Sequence, residues 1–262
     1  MQRYVRVSHA GSQQQAWVVL SEQRAGDASE YTLLSDAPWL GGTPLGLAAG
    51  SDAALELPLA PSKIICVAKN YREHAKEMQG DVPSEPQLFF KPPSSLLKCG
   101  GEVVLPPNVE RTDFEAELGV VIGSAARDVA VADAMTHVFG YCVVCDVTAR
   151  DYQKRDRLWT RAKGFDTFCP LGPEIVAGLD PSALTLKLWQ NGELRQDGNT
   201  RDMVFTIAEV IAFASTFMTL LPGDLIATGT PHGVGPLHAG DQIQIEVEGL
   251  EPLSFSVAAS NR

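Results

Sequence analysis

An α+β fold dominated by β-structure is the class this sequence predicts, and three observations carry it. Twenty-three Gly and 17 Pro are scattered over 262 residues, so turns divide the chain into many short segments. Apolar runs of strand length, bounded by Gly, Pro or Asp, recur from Lys63 onward: Ile64-Ile65-Cys66-Val67-Ala68, Leu118-Gly119-Val120-Val121-Ile122 and Tyr141-Cys142-Val143-Val144-Cys145. Helical periodicity is confined to a few stretches, which disfavours a long helical bundle. With 45% apolar and 20% charged residues the chain can bury a core of its own. Disorder, collagen and a disulfide-stapled miniprotein are excluded.

Taken in order, residues 1–58 read as a small N-terminal domain. It holds two short strand patterns, Tyr4-Val5-Arg6-Val7 and Ala16-Trp17-Val18-Val19-Leu20, followed by polar loops and an Ala/Leu-rich stretch. The prolines of Leu57-Pro58-Leu59-Ala60-Pro61 mark a linker, and a second domain is expected over 59–262. Helices are expected over 71–79, 131–136, 148–156 and 206–221. In the last of these Ile207, Val210, Ile211, Ala214 and Phe217 fall at helical spacing. Pro222-Gly223-Asp224 then turns the chain into a strand over 225–228, and 242–257 alternates in polarity as strands do. No internal repeat or low-complexity segment is visible.

Charge and composition restrict the partners. Lys plus Arg number 21 against 32 for Asp plus Glu, a net charge of −11, which repels phosphate backbones and anionic membranes. Nucleic acid and membrane are therefore not expected as partners. No apolar run approaches the roughly 20 residues that span a bilayer, and the N-terminus lacks a signal-peptide core, so a cytoplasmic location is expected. Of five cysteines only Cys142 and Cys145 are close in sequence, within an apolar run. Without a second Cys/His pair they read as reduced core residues rather than a zinc or redox motif.

The most informative stretch is Asp113-Phe114-Glu115-Ala116-Glu117-Leu118-Gly119. Two carboxylates two residues apart on a strand project from the same face, and two like charges that close would raise each other's pKa unless a cation held them both ionised. A divalent cation is the natural partner, and oxygen donors favour Mg²⁺, Mn²⁺ or Ca²⁺ over zinc. Asp146, which ends the run Tyr141 to Cys145, is the candidate third ligand. The alternative is that Glu115 and Glu117 form a solvated strand face and Asp146 a helix cap.

His74 and Glu77, at i and i+3 of an expected helix, can form a carboxylate-oriented imidazole suited to general-base work. Alternatively they belong to a surface helix in which Glu77 offsets Lys76 and Arg72. Lys91, in Phe90-Lys91-Pro92-Pro93, and Lys163, in Ala162-Lys163-Gly164-Phe165-Asp166, can supply positive potential to a carboxylate or a developing enolate. The Gly-rich stretch from Pro222 to Gly235 is neither a phosphate loop nor a dinucleotide fingerprint. Its Thr230 can offer a hydroxyl and a backbone N–H to a carboxylate; the plainer reading is a hairpin turn.

Six segments in one order, Asn-Tyr-x-x-His-x-x-Glu, Phe-x-Lys-Pro, Glu-x-Glu-Leu-Gly-Val-Val-Ile-Gly, Asp-Val-Thr-Ala-Arg-Asp-x-Gln, Ala-Lys-Gly-Phe-Asp and Gly-Asp-x-Ile-x-Thr-Gly-Thr-Pro-x-Gly-Val-Gly, resemble the fumarylacetoacetate hydrolase superfamily over about residues 62–258. The resemblance is to its acylpyruvate hydrolase and oxaloacetate decarboxylase branch and to the 2-hydroxyhepta-2,4-diene-1,7-dioate isomerase. It implies a mixed β-sandwich roll, a homodimer, and Mg²⁺ or Mn²⁺ held by Glu115, Glu117 and Asp146. It also implies a catalytic dyad of His74 and Glu77, Lys163 as the cation that stabilises negative charge, and Gln153 and Thr230 as substrate contacts. Arg72 and Lys91 fall within the motifs as further substrate-binding positions. The implied activity is metal-dependent cleavage of the carbon–carbon bond of a 2,4-dioxo acid such as fumarylpyruvate, giving pyruvate and a carboxylic acid. The alternatives are isomerase/decarboxylase action on 2-hydroxydienedioates in aromatic catabolism, oxaloacetate decarboxylation, or a metal-stabilised scaffold without turnover. A single copy of the motif set weighs against the isomerase/decarboxylase reading, since that enzyme resembles a tandem duplication, and His232, at the variable position after Thr-Gly-Thr-Pro, is a candidate specificity residue.

Overall fold

A computed structural model describes residues 1–9, 15–20, 31–48 and 53–260. The described chain is richer in strand than in helix, and its helices are short. The largest sheet holds 13 of the described strands, and its central run is Glu174–Ala177, Val138–Cys145, Ala116–Ile122, Leu225–Ala227, Ile64–Ala68 and Gln87–Lys91. Most of its pairings are antiparallel, but Leu225–Ala227 and Ile64–Ala68 run parallel, so the sheet is mixed. The N-terminal strand Gln2–His9 pairs with Glu174–Ala177 and so adds its neighbours to one edge of this sheet.

The second layer is a five-stranded sheet in the order Glu193–Asn199, Thr185–Gln190, Gln242–Val247, Leu253–Ala259 and Glu102–Leu105. Period-2 patterning places the layers against each other. In Gln242–Val247 every second residue is buried, and Ile243, Ile245 and Val247 meet Leu118, Val120 and Ile122 of the large sheet in one core. The opposite face of the large sheet, carrying Ile64, Cys66, Val121, Cys142 and Val144, packs on Leu59 and on the partly buried Trp17 and Trp39. The result is the β-dominated sandwich roll expected. Cys142 and Cys145 lie in different cores, as residues three apart on a strand must, and burial pushes both thiols up. Among the described residues no helix is long and apolar enough to cross a membrane.

Several expected elements are shorter than their periodicity suggested. The helix foreseen over 206–221 is Ile207–Ser215, opened by a capping box between Thr206 and Glu209. It stops early because Leu220 and Ala126 exchange both backbone hydrogen bonds, which leaves Phe217 56% exposed. The helix foreseen over 148–156 begins only at Arg150, because Thr148 and Ala149 pair with Thr112 and Asp113. The helix over 71–79 is Arg72–Glu77, and that over 131–136 is Val131–Ala134 followed by a 3-10 turn, Met135–His137. The turn of helix Thr160–Lys163 is too short to leave a periodic signal.

Candidate active site

The site forms where two neighbouring strands leave the large sheet together. Ala116 pairs with Cys145 at the end of that sheet, and beyond it Thr112 and Asp113 pair with Ala149 and Thr148 in a separate small sheet. Glu115 and Asp146 occupy the break between the sheets, where the Asp146 N–H donates to the Glu115 carbonyl at 2.8 Å. Glu117 follows two residues along, on the same face as Glu115. The carboxylates of Glu115, Glu117 and Asp146 offer oxygens that all lie within 4.8 Å of one another, and all three residues are buried. The solvated-face and helix-cap alternatives therefore fail; the cap position is Ala149, which makes no side-chain cap.

Cations sit behind these acids. Lys163 Nζ donates to Glu115 Oε2 at 2.9 Å and to Asp146 Oδ2 at 2.5 Å. Lys91 Nζ donates to Asp146 Oδ1 at 2.7 Å and to the Val147 carbonyl at 3.1 Å. Arg150 places Nη2 2.6 Å from Glu115 Oε1 and donates through Nε to Asp113 at 2.7 Å. Burial by itself would raise the Glu115 carboxyl, but Lys163 and Arg150 outweigh it and hold this group far below the usual range. The same acids hold the Lys163 ammonium above its usual value against the effect of burial.

Glu117 is treated differently. Its hydrogen-bond partner is the Gly229 N–H, at 2.8 Å from Oε2, and burial together with Asp146 and Glu115 pushes its carboxyl well up. Asp113 pairs with Arg111 and Arg150, Glu115 with Arg150 and Lys163, and Asp146 with Lys91 and Lys163, so Glu117 is the acid of this group with no cation bonded to it. A divalent ion held by Glu115, Glu117 and Asp146 would give Glu117 the positive neighbour it lacks, so the residues present fit such an ion. All-oxygen donors suit Mg²⁺ or Mn²⁺.

These acids line a cavity of about 170 Å³ together with His74, Arg150, Gln153, Lys163 and Thr230. Val67, Met78, Phe89 and Trp159 give it apolar walls, with the Phe89 and Trp159 rings edge-to-face at 5.3 Å. His74 is only 6% exposed, and its Nδ1 lies 3.1 Å from Glu77 Oε2. An ionised carboxylate only accepts, so Nδ1 carries a proton, and Nε2 is the nitrogen that can act as a base in the neutral ring. The Gly233 N–H holds the other oxygen of Glu77 at 3.0 Å. The surface-helix alternative fails here too, because Lys76 pairs with Glu73 rather than Glu77.

Gln153 accepts from Arg150 Nη1 at 2.8 Å, which leaves its amide hydrogens for a ligand. Two expected substrate contacts are placed elsewhere. Lys91 is buried against Asp146 and does not line the cavity, because its ammonium is held by that carboxylate and by the Val147 carbonyl. Arg72 points the other way along its helix and lines a different cavity, shared with Tyr71 and His232. Sequence reasoning missed the part of Arg150, whose signal lay in the Thr-Ala-Arg-Asp segment, and that of Gly229. At Gly229 φ is +96°, and a Cβ would stand 2.8 Å from Asn70 Cβ, so the N–H that serves Glu117 needs glycine.

The chain is similar to known proteins in both sequence and fold. Residues 63–258 match the family model described as fumarylacetoacetate (FAA) hydrolase C-terminal. The Arabidopsis thaliana protein named oxaloacetate tautomerase FAHD1, mitochondrial, is 44% identical over 202 residues, covering 75% of this chain and 91% of that protein. A crystal structure of 2-hydroxyhepta-2,4-diene-1,7-dioate isomerase from Mycobacterium marinum superposes with a TM-score of 0.90 at 35% identity, covering 100% of both chains. A fumarylpyruvate hydrolase from Pseudomonas aeruginosa, solved in complex with Mn²⁺ and pyruvate, superposes with a TM-score of 0.73 at 32% identity, covering 80% of this chain and 94% of the other.

Proposed function

The chain belongs to the fumarylacetoacetate hydrolase family, and from that premise we propose that it is a divalent-metal-dependent enzyme interconverting the keto and enol forms of a small 2-oxo acid. One observation carries this reading: a carboxylate triad able to hold a cation and an oriented imidazole line the same small cavity. When bound by Glu115, Glu117 and Asp146, the ion supplies Lewis-acid polarisation of the substrate's keto group.

The protein's own groups do the rest. His74 Nε2 takes a proton from the carbon beside the keto group, the C–H electron pair becomes the new carbon–carbon double bond, and the carbonyl electrons move to oxygen. Glu77 orients the imidazole and stabilises its protonated form. Lys163 places a permanent positive charge against the ligand acids, beside the oxygen that gains charge. Gln153 and Thr230 hold the substrate's polar end, and the apolar walls exclude competing water. Reprotonation on oxygen gives the enol; the reverse sequence gives the keto acid.

This reading departs from the carbon–carbon hydrolysis expected first from the sequence, because the relatives named above include a tautomerase and an isomerase. Hydrolysis of an acylpyruvate is kept as the second reading, supported by the similarity to a fumarylpyruvate hydrolase bound to Mn²⁺ and pyruvate. In it His74 activates water instead of removing a carbon-bound proton. The test is a side-by-side assay with Mn²⁺ and Mg²⁺: loss of the enol absorbance of oxaloacetate, and release of pyruvate from acetylpyruvate and fumarylpyruvate. Faster enol loss without pyruvate release supports tautomerisation. Rapid pyruvate release from an acylpyruvate replaces it with hydrolysis, and no turnover of any of them sinks both.

A further inference from the structure

We propose that Gln196 is a positioning residue that fixes the Thr230 hydroxyl as a hydrogen-bond donor into the cavity and ties it in register with the metal-binding acids. The proposal rests on the reading above, in which the cavity takes a 2-oxo acid. Gln196 lies on Glu193–Asn199, an edge strand of the second sheet, and it is the buried residue of an otherwise exposed or half-exposed strand. Its side chain has 0% exposure, a placement that costs free energy unless its polar atoms are bonded.

They are bonded, and in a way that fixes the direction of each bond. Oε1 accepts the Ala116 N–H at 3.0 Å, and a backbone N–H can only donate, so the amide cannot be turned over. Nε2 therefore faces the other way, donating to Thr230 Oγ1 at 2.8 Å and to the Pro231 carbonyl at 2.9 Å. Thr230 is 2% exposed and lines the cavity. Its oxygen receives the Gln196 hydrogen, and its own proton has no acceptor among the described residues. An anionic ligand oxygen in the cavity is the acceptor that this arrangement leaves open.

The other end of the amide matters equally. Ala116 stands between Glu115 and Glu117, so a single rigid side chain joins the backbone of the acid pair to the hydroxyl that meets the ligand. The carboxylate of a 2-oxo acid is thereby set at a fixed distance from the triad, which positions the neighbouring keto group. No local sequence pattern announces this role, since Gln196 is 34 residues from Thr230 and 80 from Ala116.

The test uses the full chain loaded with Mn²⁺ and measures pyruvate affinity by calorimetry, KM and kcat for oxaloacetate, Mn²⁺ affinity, and thermal midpoint. Gln196→Met, similar in size but without the amide, is expected to weaken pyruvate binding and raise KM by about 10- to 100-fold, the worth of one hydrogen bond to a charged group. Its kcat and Mn²⁺ affinity are expected to change far less. Gln196→Glu is expected to lose more. Its ionised carboxylate can keep the Ala116 bond but draws the Thr230 proton away from the cavity. In a Thr230→Val background, Gln196→Met is expected to cause no further loss of affinity. Should Gln196→Met fail to fold, Gln196→Glu serves as the second variant. Unchanged pyruvate binding in a folded Gln196 variant, or losses that add fully to that of Thr230→Val, overturns the assignment alone. Wild-type protein that binds no 2-oxo acid overturns the functional reading and this assignment with it.

Discussion

The backbone N–H of Gly229 donates to Oε2 of Glu117 at 2.8 Å, joining the strand that carries this member of the acid triad to the loop that carries Thr230. Glycine is required there, because φ is +96° and a Cβ would stand 2.8 Å from Asn70 Cβ and 3.0 Å from the Val67 carbonyl oxygen. Gly229→Ala is expected to cost about 1–3 kcal/mol of stability in urea unfolding. It should also weaken Mn²⁺ binding as the N–H swings from the carboxylate. Wild-type values for both would show that the loop is not held by this contact.

Glu115 and Glu117 are both buried glutamates, yet they are expected to respond oppositely to neutralisation when metal is absent. Glu115 is held ionised by Lys163 and Arg150, so Glu115→Gln should destabilise the chelator-treated protein by up to about 3–5 kcal/mol. Glu117 is an acid without a cation, so Glu117→Gln should stabilise the same metal-free protein by about 1 kcal/mol or more. Both variants should lose metal-dependent activity and the stabilisation that Mn²⁺ gives the wild type. Urea unfolding with and without chelator separates the two responses, and a shift of the same sign in both would refute the charge balance described.

The pH dependence follows from the same two groups. A carboxyl raised in the folded state favours folding when protonated, so the Glu117 contribution to metal-free stability is present below the ordinary value of 4.5 and is lost as pH rises through its raised value. Glu115, held low, contributes above 4.5 and loses that contribution as pH falls toward its depressed value. Because the ion competes with the Glu117 proton, Mn²⁺ affinity should fall by up to about tenfold per pH unit below the raised value of that group. Calorimetric titration across this range checks it; a flat profile would mean that Glu117 is already ionised without metal.

His74 and Glu77 are expected to divide chemistry from metal binding. His74→Ala should lower turnover by about 10²- to 10⁴-fold, and Glu77→Gln by less, since it leaves the imidazole in place but unsupported. Neither residue is among the triad, so Mn²⁺ affinity should stay near the wild-type value. Steady-state kinetics beside a metal titration tests this, and full turnover by His74→Ala would remove the imidazole from the reaction.

Lys91 and Lys163 differ in what their removal exposes. Lys163 lines the cavity and bonds two acids of the triad, Glu115 and Asp146, whereas Lys91 bonds Asp146 without lining the cavity. Lys163→Met should therefore depress kcat as well as stability. Lys91→Met should lower stability, by up to about 3–5 kcal/mol, with a smaller effect on kcat once metal is saturating. Equal losses of kcat in the two variants would argue that both lysines face the substrate.

Much of this site was legible along the chain. The Glu-x-Glu spacing puts Glu115 and Glu117 on one face of any strand, and His74 and Glu77 share a helical face at i and i+3 whatever the helix packs against. Strand periodicity likewise located the runs at 64–68 and 141–145, because alternation and apolar length are local properties. Element ends were less legible. The helix over 206–221 was cut at Ser215 by a bridge to Ala126, a partner that its own periodicity does not contain.

What the sequence determined by itself is the local geometry: which residues share a face, where turns fall, and which side chains carry charge. Tertiary structure alone decided which charges meet. Lys91 and Arg72 look alike as cations in apolar or helical settings, yet one is buried against Asp146 and the other opens onto a separate cavity. Gln196 is a polar residue on a polar strand until the second sheet packs on the first and brings it to Ala116 and Thr230. The physical reason is that backbone periodicity acts over a few residues. Desolvation and charge pairing depend instead on neighbours that chain folding brings from far away, and no local pattern encodes them.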